Sequence, residues 1–218
     1  MKHGEFSGDP ESTWLTQEGT PDRQMRVLQD FSFTDPSLKV WPAPRGSVVD
    51  GASIPRALWT IVGSPYTGDY RRASIVHDIA CDNAGQDTKK RRAADRMFFH
   101  ACRTGGCSIW ESIVLYLGVR IGAAAKDVPS WHAAISIEAA GPRLRRSDEE
   151  LELERDFQRI ADRVLAPGET DDPAELEKRT DAALAVTVGL KASGGKGRSG
   201  VSRSAIQPTA RRRRPRRS

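Results

Sequence analysis

Apolar residues in the first part of the chain fall in short runs, which predicts a few short strands ahead of the helices. The runs "MRVLQDFSF" and "LKVWPAP" have strand character and are separated by the turn signal "TDPS". The segment "GSVVDGASIP" is typical of a glycine turn, a short strand and a bend. Pro55 then leads into a predicted short helix, "RALWTIVG", because proline suits the first turn of a helix.

Farther along, the apolar positions recur at three- and four-residue spacing, which predicts helices. Residues 69–82, with Asp69 as a candidate cap, and residues 88–103 each place an apolar stripe on one face. Ser108 precedes a third and more apolar helix, "IWESIVLYLGVRIGAAA", which we interpret as a core element. Together these elements predict an α+β fold in which short antiparallel strands pack on a three-helix core.

Shifts in composition divide the chain into four predicted segments. These are a polar N-terminal lead-in over residues 1–21, the α+β domain over 22–128, a charged helical extension over 129–190 and a disordered Arg-rich tail over 191–218. Within the extension we predict two helices, over residues 147–165 with Ser147 as cap and over residues 171–188.

The net charge of +5 is unevenly distributed. Because ten Lys and Arg and no acids lie in residues 191–218, the rest of the chain is about five units negative. The tail ends in six closely spaced arginines, which are Arg211, Arg212, Arg213, Arg214, Arg216 and Arg217. Such a cluster predicts non-specific contact with nucleic-acid phosphates, and a solvated, disordered end is the alternative interpretation.

The composition also bears on the compartment. The chain has no uncharged apolar run of about 18 residues, so we expect no transmembrane segment. The polar N-terminus, "MKHGEFSGDPESTW", does not resemble a secretory signal peptide. An odd number of cysteines, Cys81, Cys102 and Cys107, predicts reduced thiols and a cytoplasmic protein.

Two polar residues lie on the otherwise apolar stripes of adjacent predicted helices. The first two long helices are joined by a short loop, so we expect them to pack as an antiparallel hairpin. A register that places His77 opposite Asp95 also places Cys81 near Arg91 and keeps Cys102 too far from Cys81 for a disulfide. A carboxylate bonded to one imidazole nitrogen leaves the other nitrogen as a base, so this pair is a candidate catalytic dyad.

Two further carboxylates form a candidate cation site beside the predicted dyad. Asp78 points about 100° around the helix from His77 and is therefore available to a neighbouring loop. Asp50 and the bend after it, where Gly51 permits unusual backbone angles, can supply carboxylate and carbonyl oxygens. Oxygen ligands of this kind favour calcium.

Each of these residues also has an ordinary structural interpretation. An Asp-Gly pair is commonly just a turn, and Asp95 can pair with Arg91 or Arg92 on its own helix. The whole set can equally form a buried polar network that holds the hairpin to the loop. Exposure distinguishes the two cases, because a catalytic His77 must open to a cleft, whereas a structural one is covered with both nitrogens bonded.

Four segments of this chain match a family pattern. They are "VVDGASIPRALW", "YRRASIVHDIAC", "RRAADRMFFHACRTGGC" and "YLGVRIGA", all within residues 25–124. Here the chain resembles a bacterial and phage family catalogued as domain of unknown function 1353, whose biochemical function is not settled. The resemblance implies a phage or prophage origin, and hence a protein of the host cytoplasm or of the virion. This chain has Cys81 where the family tends to have an aromatic residue shortly after His-Asp.

The order of the same motifs also resembles small bacterial and fungal phospholipase A₂ enzymes. That resemblance implies His77 as general base, Asp95 as the residue that orients it, and Asp78 with the Asp50 loop as calcium ligands. The disulfides and the secretion signal of those enzymes have no equivalent here, and the segment between Asp50 and His77 is long. The leading hypothesis is a calcium-assisted hydrolase of a phospholipid or other ester, and the alternative is a non-enzymatic phage structural or host-interaction protein.

Overall fold

The computed structural model describes residues 2–16, 24–63, 68–139 and 146–195. Within these ranges the chain forms two three-stranded antiparallel sheets and seven α-helices. The first sheet has the order β1–β4–β5 and the second has the order β2–β3–β6. The α+β class, with small antiparallel sheets beside a helical core, is therefore confirmed.

The six strands are short and alternate between the two sheets along the chain. They are β1 (Glu5–Phe6), β2 (Ser12–Leu15), β3 (Gln24–Val27), β4 (Phe31–Thr34), β5 (Val40–Ala43) and β6 (Val48–Val49). The predicted single strand "MRVLQDFSF" is split, because its first half pairs in the second sheet and its second half in the first. The bend between the halves is held by Asp30, whose carboxylate accepts a hydrogen bond from the backbone of Arg45 at 2.9 Å.

Two of these strands lie in the segment expected to be a polar lead-in. In β1, Phe6 pairs with Phe33, and its ring packs 4.9 Å from that of Phe33 in the core. In β2, Trp14 pairs with Met25 of β3. The alternation of polar and apolar residues here extends over too few positions to be visible as a strand pattern in the sequence.

The seven helices follow the sheets in sequence. They are α1 (Trp59–Val62), α2 (Arg71–Ala84), α3 (Thr88–Gly105), α4 (Ile109–Ala124), α5 (Pro129–Ala139), α6 (Asp148–Leu165) and α7 (Pro173–Gly195). None of the helices in the described part of the chain is long and apolar enough to cross a membrane. Helix α7 includes the first residues of the predicted tail, and residues 196–218, with the arginine cluster, lie outside the described ranges.

Side-chain caps fix several helix ends as predicted. Ser108 accepts a hydrogen bond from the backbone of Glu111 at the start of α4. Ser147 and Glu150 form a reciprocal capping box at the start of α6. The expected cap at Asp69 is not formed, since α2 begins after Tyr70 and has no side-chain cap.

The helices α2 and α3 form the expected antiparallel hairpin, and α4 packs against α3. The charged extension joins this core. Its side chains Leu153, Phe157 and Ile160 of α6, and Leu176 of α7, are buried in one continuous cluster with the residues of α2–α4. On α5, the indole nitrogen of Trp131 donates to Asp156 of α6 at 2.9 Å, so these helices are also tied by a buried polar contact.

Candidate functional site

The α2–α3 hairpin brings His77 and Asp95 into direct contact. Nε2 of His77 lies 2.9 Å from Oδ1 of Asp95, within hydrogen-bonding distance. The contact arises because both residues occupy the apolar face of their helix, and the connection from Gly85 to Asp87 is short enough to set the register. The predicted proximity of imidazole and carboxylate is therefore confirmed, whereas a catalytic role remains a prediction.

Both members of the pair are enclosed. His77 is 0% exposed and Asp95 is 1% exposed. The imidazole packs against the ring of Phe98 with 4.6 Å between centroids. On its other side Sγ of Cys81 lies 3.4 Å from Nε2 and 3.8 Å from Nδ1. The histidine is thus covered, which is the surrounding expected of a structural rather than a catalytic residue.

Electrostatics also favours a protonated His77. Burial by itself lowers the pKa of this histidine, but the adjacent Cys81 sulfur and the hydrogen bond with Asp95 outweigh it and raise that pKa to about 10. An imidazole that retains its proton at neutral pH is a donor to Asp95 and cannot accept a proton from water. In this state the pair is an ion pair inside the core.

Arg120, on the apolar helix α4, completes the buried network. Its Nε lies 3.6 Å from Oδ2 of Asp95, its Nη1 donates to the hydroxyl of Tyr116 at 2.8 Å, and its Nη2 donates to Asp181 of α7 at 2.8 Å. The network therefore links α2, α3, α4 and α7. The sequence analysis did not single out Arg120, although one basic residue in the middle of an otherwise apolar helix is a recognisable signal.

The proposed cation ligands Asp78 and Asp50 are also brought together, but through the backbone. The backbone N–H of Asp50 donates to Oδ2 of Asp78 at 2.8 Å. Asp78 is 7% exposed, and burial raises the pKa of its carboxyl to about 7. The Asp50 side chain is exposed. The two residues are neighbours, and this contact orders the loop after β6 against α2.

The cysteines are free thiols, as predicted. Cys81, Cys102 and Cys107 are all buried and unbridged. Cys81 lies against His77, while Arg91, which the hairpin register placed near it, lines an adjacent cleft.

Two clefts border the site on opposite sides. The first has a volume of about 330 Å³, and Asp95 and Arg120 form part of its wall together with Arg91 and Lys126. The second, of about 490 Å³, lies between the second sheet and the start of α2 and includes Gly51. The dyad thus reaches a cleft through its carboxylate, and His77 lines neither of the two.

A second polar cluster, unforeseen from the sequence, joins the N-terminal segment to α3 and to the loop before α7. Nε2 of His3 lies 3.1 Å from Oδ2 of Asp171, and its Nδ1 lies 3.2 Å from Nδ1 of His100. The half-buried His100 was expected to face solvent. Burial alone would raise the pKa of Asp171, but hydrogen bonds from Lys2 and Arg103 outweigh it and lower that pKa to about 2.

Comparison with known proteins agrees with the family resemblance. Residues 25–119 match the family described as "Protein of unknown function (DUF1353)". The chain is 38% identical over 118 residues to "Uncharacterized protein y4jT" of Sinorhizobium fredii (strain NBRC 101917 / NGR234), a match covering 53% of this chain and 33% of that protein. A second protein of that strain, "Uncharacterized protein y4iH", is 31% identical over 99 residues, which cover 45% of this chain and 40% of that one.

The chain thus matches well under half the length of these two relatives. No solved structure matches it. The resemblance to phospholipase A₂ finds no support in these matches.

Proposed function

We propose that the chain is a non-enzymatic structural or host-interaction protein of phage type, in which the His77–Asp95 network holds the helical core together. The phage context rests on the family resemblance alone. The scaffold role rests on one observation, the complete burial of His77. A base that no substrate can approach cannot activate water for attack on an ester.

The contacts around the pair support the same role. Asp95 holds His77 on one side and faces Arg120 on the other, so one carboxylate links three helices. Arg120 extends the link to Asp181 of α7. Polar groups paired in this way specify one arrangement of helices, because other arrangements leave a charge unpaired in the interior.

Thermal melts of the wild type and three variants, with calcium and with chelator, test the scaffold role. We expect His77→Ala, Asp95→Asn and Asp78→Asn each to change stability, and the two changes at the dyad to lower the melting temperature. Loss of a buried hydrogen-bonded partner costs about 1–3 kcal/mol. Calcium should shift none of the curves, and a wild-type curve raised by calcium and lowered by chelator would contradict the proposal.

A calcium-assisted ester hydrolase is the second candidate. It is favoured by the 2.9 Å contact of His77 with Asp95, which has the geometry of an oriented general base, and by the pairing of Asp78 with the Asp50 loop. In this proposal His77 takes a proton from water, and calcium held by Asp78 and Asp50 stabilises the developing oxyanion. It requires an opening of the core at His77, since the side chain is enclosed.

Hydrolysis of phospholipid vesicles and of a soluble ester by the full chain tests this candidate. The enzyme proposal requires calcium-dependent activity that His77→Ala abolishes, that Asp95→Asn reduces less completely, and that Asp78→Asn restores at higher calcium. Asp50→Asn should resemble Asp78→Asn in its calcium dependence. Absence of ester hydrolysis at saturating calcium would reject the enzyme.

Non-specific nucleic-acid binding by the Arg-rich tail is a separate proposal. Its support is the charge of residues 191–218, which contain ten basic residues and no acids. Deletion of residues 196–218 should remove salt-sensitive binding to both DNA and RNA while leaving the thermal melt unchanged. Equal affinity of the full and shortened chains at low salt would refute it.

A further inference from the structure

We propose that His77, Cys81 and Asp95 form a metal site that accepts zinc or a similar transition-metal ion and rejects calcium. Each residue offers one ligand atom, and the three atoms lie within 4.8 Å of one another. In the described part of the chain, this is the one group of three such side chains close enough to share an ion. The site is distinct from the calcium ligands considered above, and it goes beyond the scaffold role, which needs no metal.

The geometry of the three atoms is close to that of a tetrahedral zinc site. His77 and Cys81 are one helical turn apart on α2, which places the sulfur and the ring on one face. Zinc–sulfur bonds of about 2.3 Å and zinc–nitrogen or zinc–oxygen bonds of about 2.0 Å separate neighbouring ligand atoms by about 3.3–3.5 Å. The separation of Cys81 Sγ from His77 Nε2 is 3.4 Å. Oδ1 of Asp95, at 2.9 Å from the same nitrogen, needs to move by only a few tenths of an ångström, about the tolerance of such sites.

The donor set determines which ions fit. Thiolate and imidazole are ligands for zinc and its transition-metal neighbours, whereas calcium takes six to eight oxygens. A thiolate and a carboxylate together balance the charge of a divalent ion. Binding requires Cys81 and Nε2 of His77 to release their protons to solvent, so the ion replaces the proton that bridges His77 and Asp95.

The second carboxylate oxygen of Asp95 supplies an independent observation. This Oδ2 atom is buried without a hydrogen-bond partner, and its ion-pair contact with Arg120 is 3.6 Å long. Such an atom is uncommon in a folded protein, where buried polar atoms are nearly always bonded. Asp95 also lines the cleft of about 330 Å³, which leads from solvent to the metal-binding group. The carboxylate can therefore turn to bind an ion without breaking a strong hydrogen bond.

Cobalt(II) substitution of the full chain tests the site. The protein is unfolded in reductant and chelator, then refolded with cobalt(II), so that a closed core does not prevent entry of the ion. We expect one cobalt per chain, a thiolate-to-cobalt charge-transfer band in the near ultraviolet, and visible bands of tetrahedral intensity. Added zinc should abolish these bands, since a given site binds zinc more tightly than cobalt, and calcium should not.

The matched pair of variants is Cys81→Ser and Cys107→Ser, because both thiols are buried and only Cys81 belongs to the group. Cys81→Ser should lose the charge-transfer band, and Cys107→Ser should keep it. Circular dichroism confirms that each variant refolds, and Cys81→Ala replaces any serine variant that does not. A wild type without the band, or a folded Cys81 variant that retains it, overturns the proposal. Because the melts of the apo protein test the scaffold role without any metal, the two proposals fail independently.

Discussion

Two histidine–aspartate contacts among the described residues have similar lengths but opposite surroundings. His77 and Asp95 meet at 2.9 Å with side chains 0% and 1% exposed. His3 and Asp171 meet at 3.1 Å with side chains 11% and 17% exposed. The first pair lies between two core helices, and the second ties the N-terminal segment to the loop before α7.

The comparison shows that the surroundings, rather than the distance, set the energetic role of such a pair. In the enclosed pair each partner has lost its water, so removal of one leaves the other charge uncompensated. In the outer pair, water and the neighbouring cations Lys2 and Arg103 remain available to Asp171. We therefore expect the two pairs to respond differently to the same chemical change.

The largest difference is expected on truncation of each aspartate. Asp95→Ala should lower the free energy of unfolding by about 3–5 kcal/mol, because it leaves His77 and Arg120 without their shared buried carboxylate. Asp171→Ala should lower it by about 1 kcal/mol or less. Urea denaturation of both variants at neutral pH measures the two values, and similar losses would show that the burial of the first pair is energetically irrelevant.

The pairs should also differ in their effect on stability at alkaline pH. The pKa of His77 is about 10 in the folded chain and about 6.5 when unfolded. A raised pKa stabilises the fold fully below about pH 6.5, and that stability is lost as pH rises toward about 10, by at most about 1.4 kcal/mol per pH unit. Denaturation midpoints across this range should fall in the wild type.

Substitution of each histidine by glutamine isolates this effect. His77→Gln should flatten the alkaline part of the profile, while His3→Gln should leave its slope unchanged. Equal slopes in the wild type and His77→Gln would indicate that the buried imidazole is neutral in the folded chain.

A carboxyl group next to the enclosed pair should produce a smaller effect at lower pH. Burial raises the pKa of Asp78 to about 7, against about 3.9 in an unfolded chain. The folded state then binds the extra proton, so this group makes the protein less stable as pH rises from about 4 to about 7. Asp78→Asn keeps an acceptor for the Asp50 N–H and should gain stability relative to the wild type over that range. A constant difference between the two profiles would contradict the raised pKa.

The smallest effect is expected from salt on the outer pair. Because Asp171 and its partners are partly exposed, their attraction is screened, and the cost of Asp171→Asn should shrink between low and high ionic strength. The cost of Asp95→Asn should be insensitive to salt. Urea midpoints at two salt concentrations measure both values, and a salt-independent Asp171→Asn would place that carboxylate in an interior environment.

Local patterns were sufficient to predict much of the molecule. The helical spacing predicted α2, α3 and α4, and the serines at 108 and 147 predicted their caps, since these features depend on residues within one or two turns. The short α2–α3 connection and the position of His77 and Asp95 on apolar stripes predicted the contact between them. A two-helix hairpin has few possible registers, so local information determines the pairing.

What only the tertiary structure decided depends on contacts between distant segments. The strands β1 and β2 are too short to show a period, and they are defined by pairing with β4 and β3. The meeting of His3 with Asp171, and of Arg120 with Asp181, joins residues far apart in sequence. Above all, the sequence placed His77 on a stripe but could not show whether a cleft reached it. Exposure depends on every element packed around a side chain, including α4 and α7, and no local pattern contains that information.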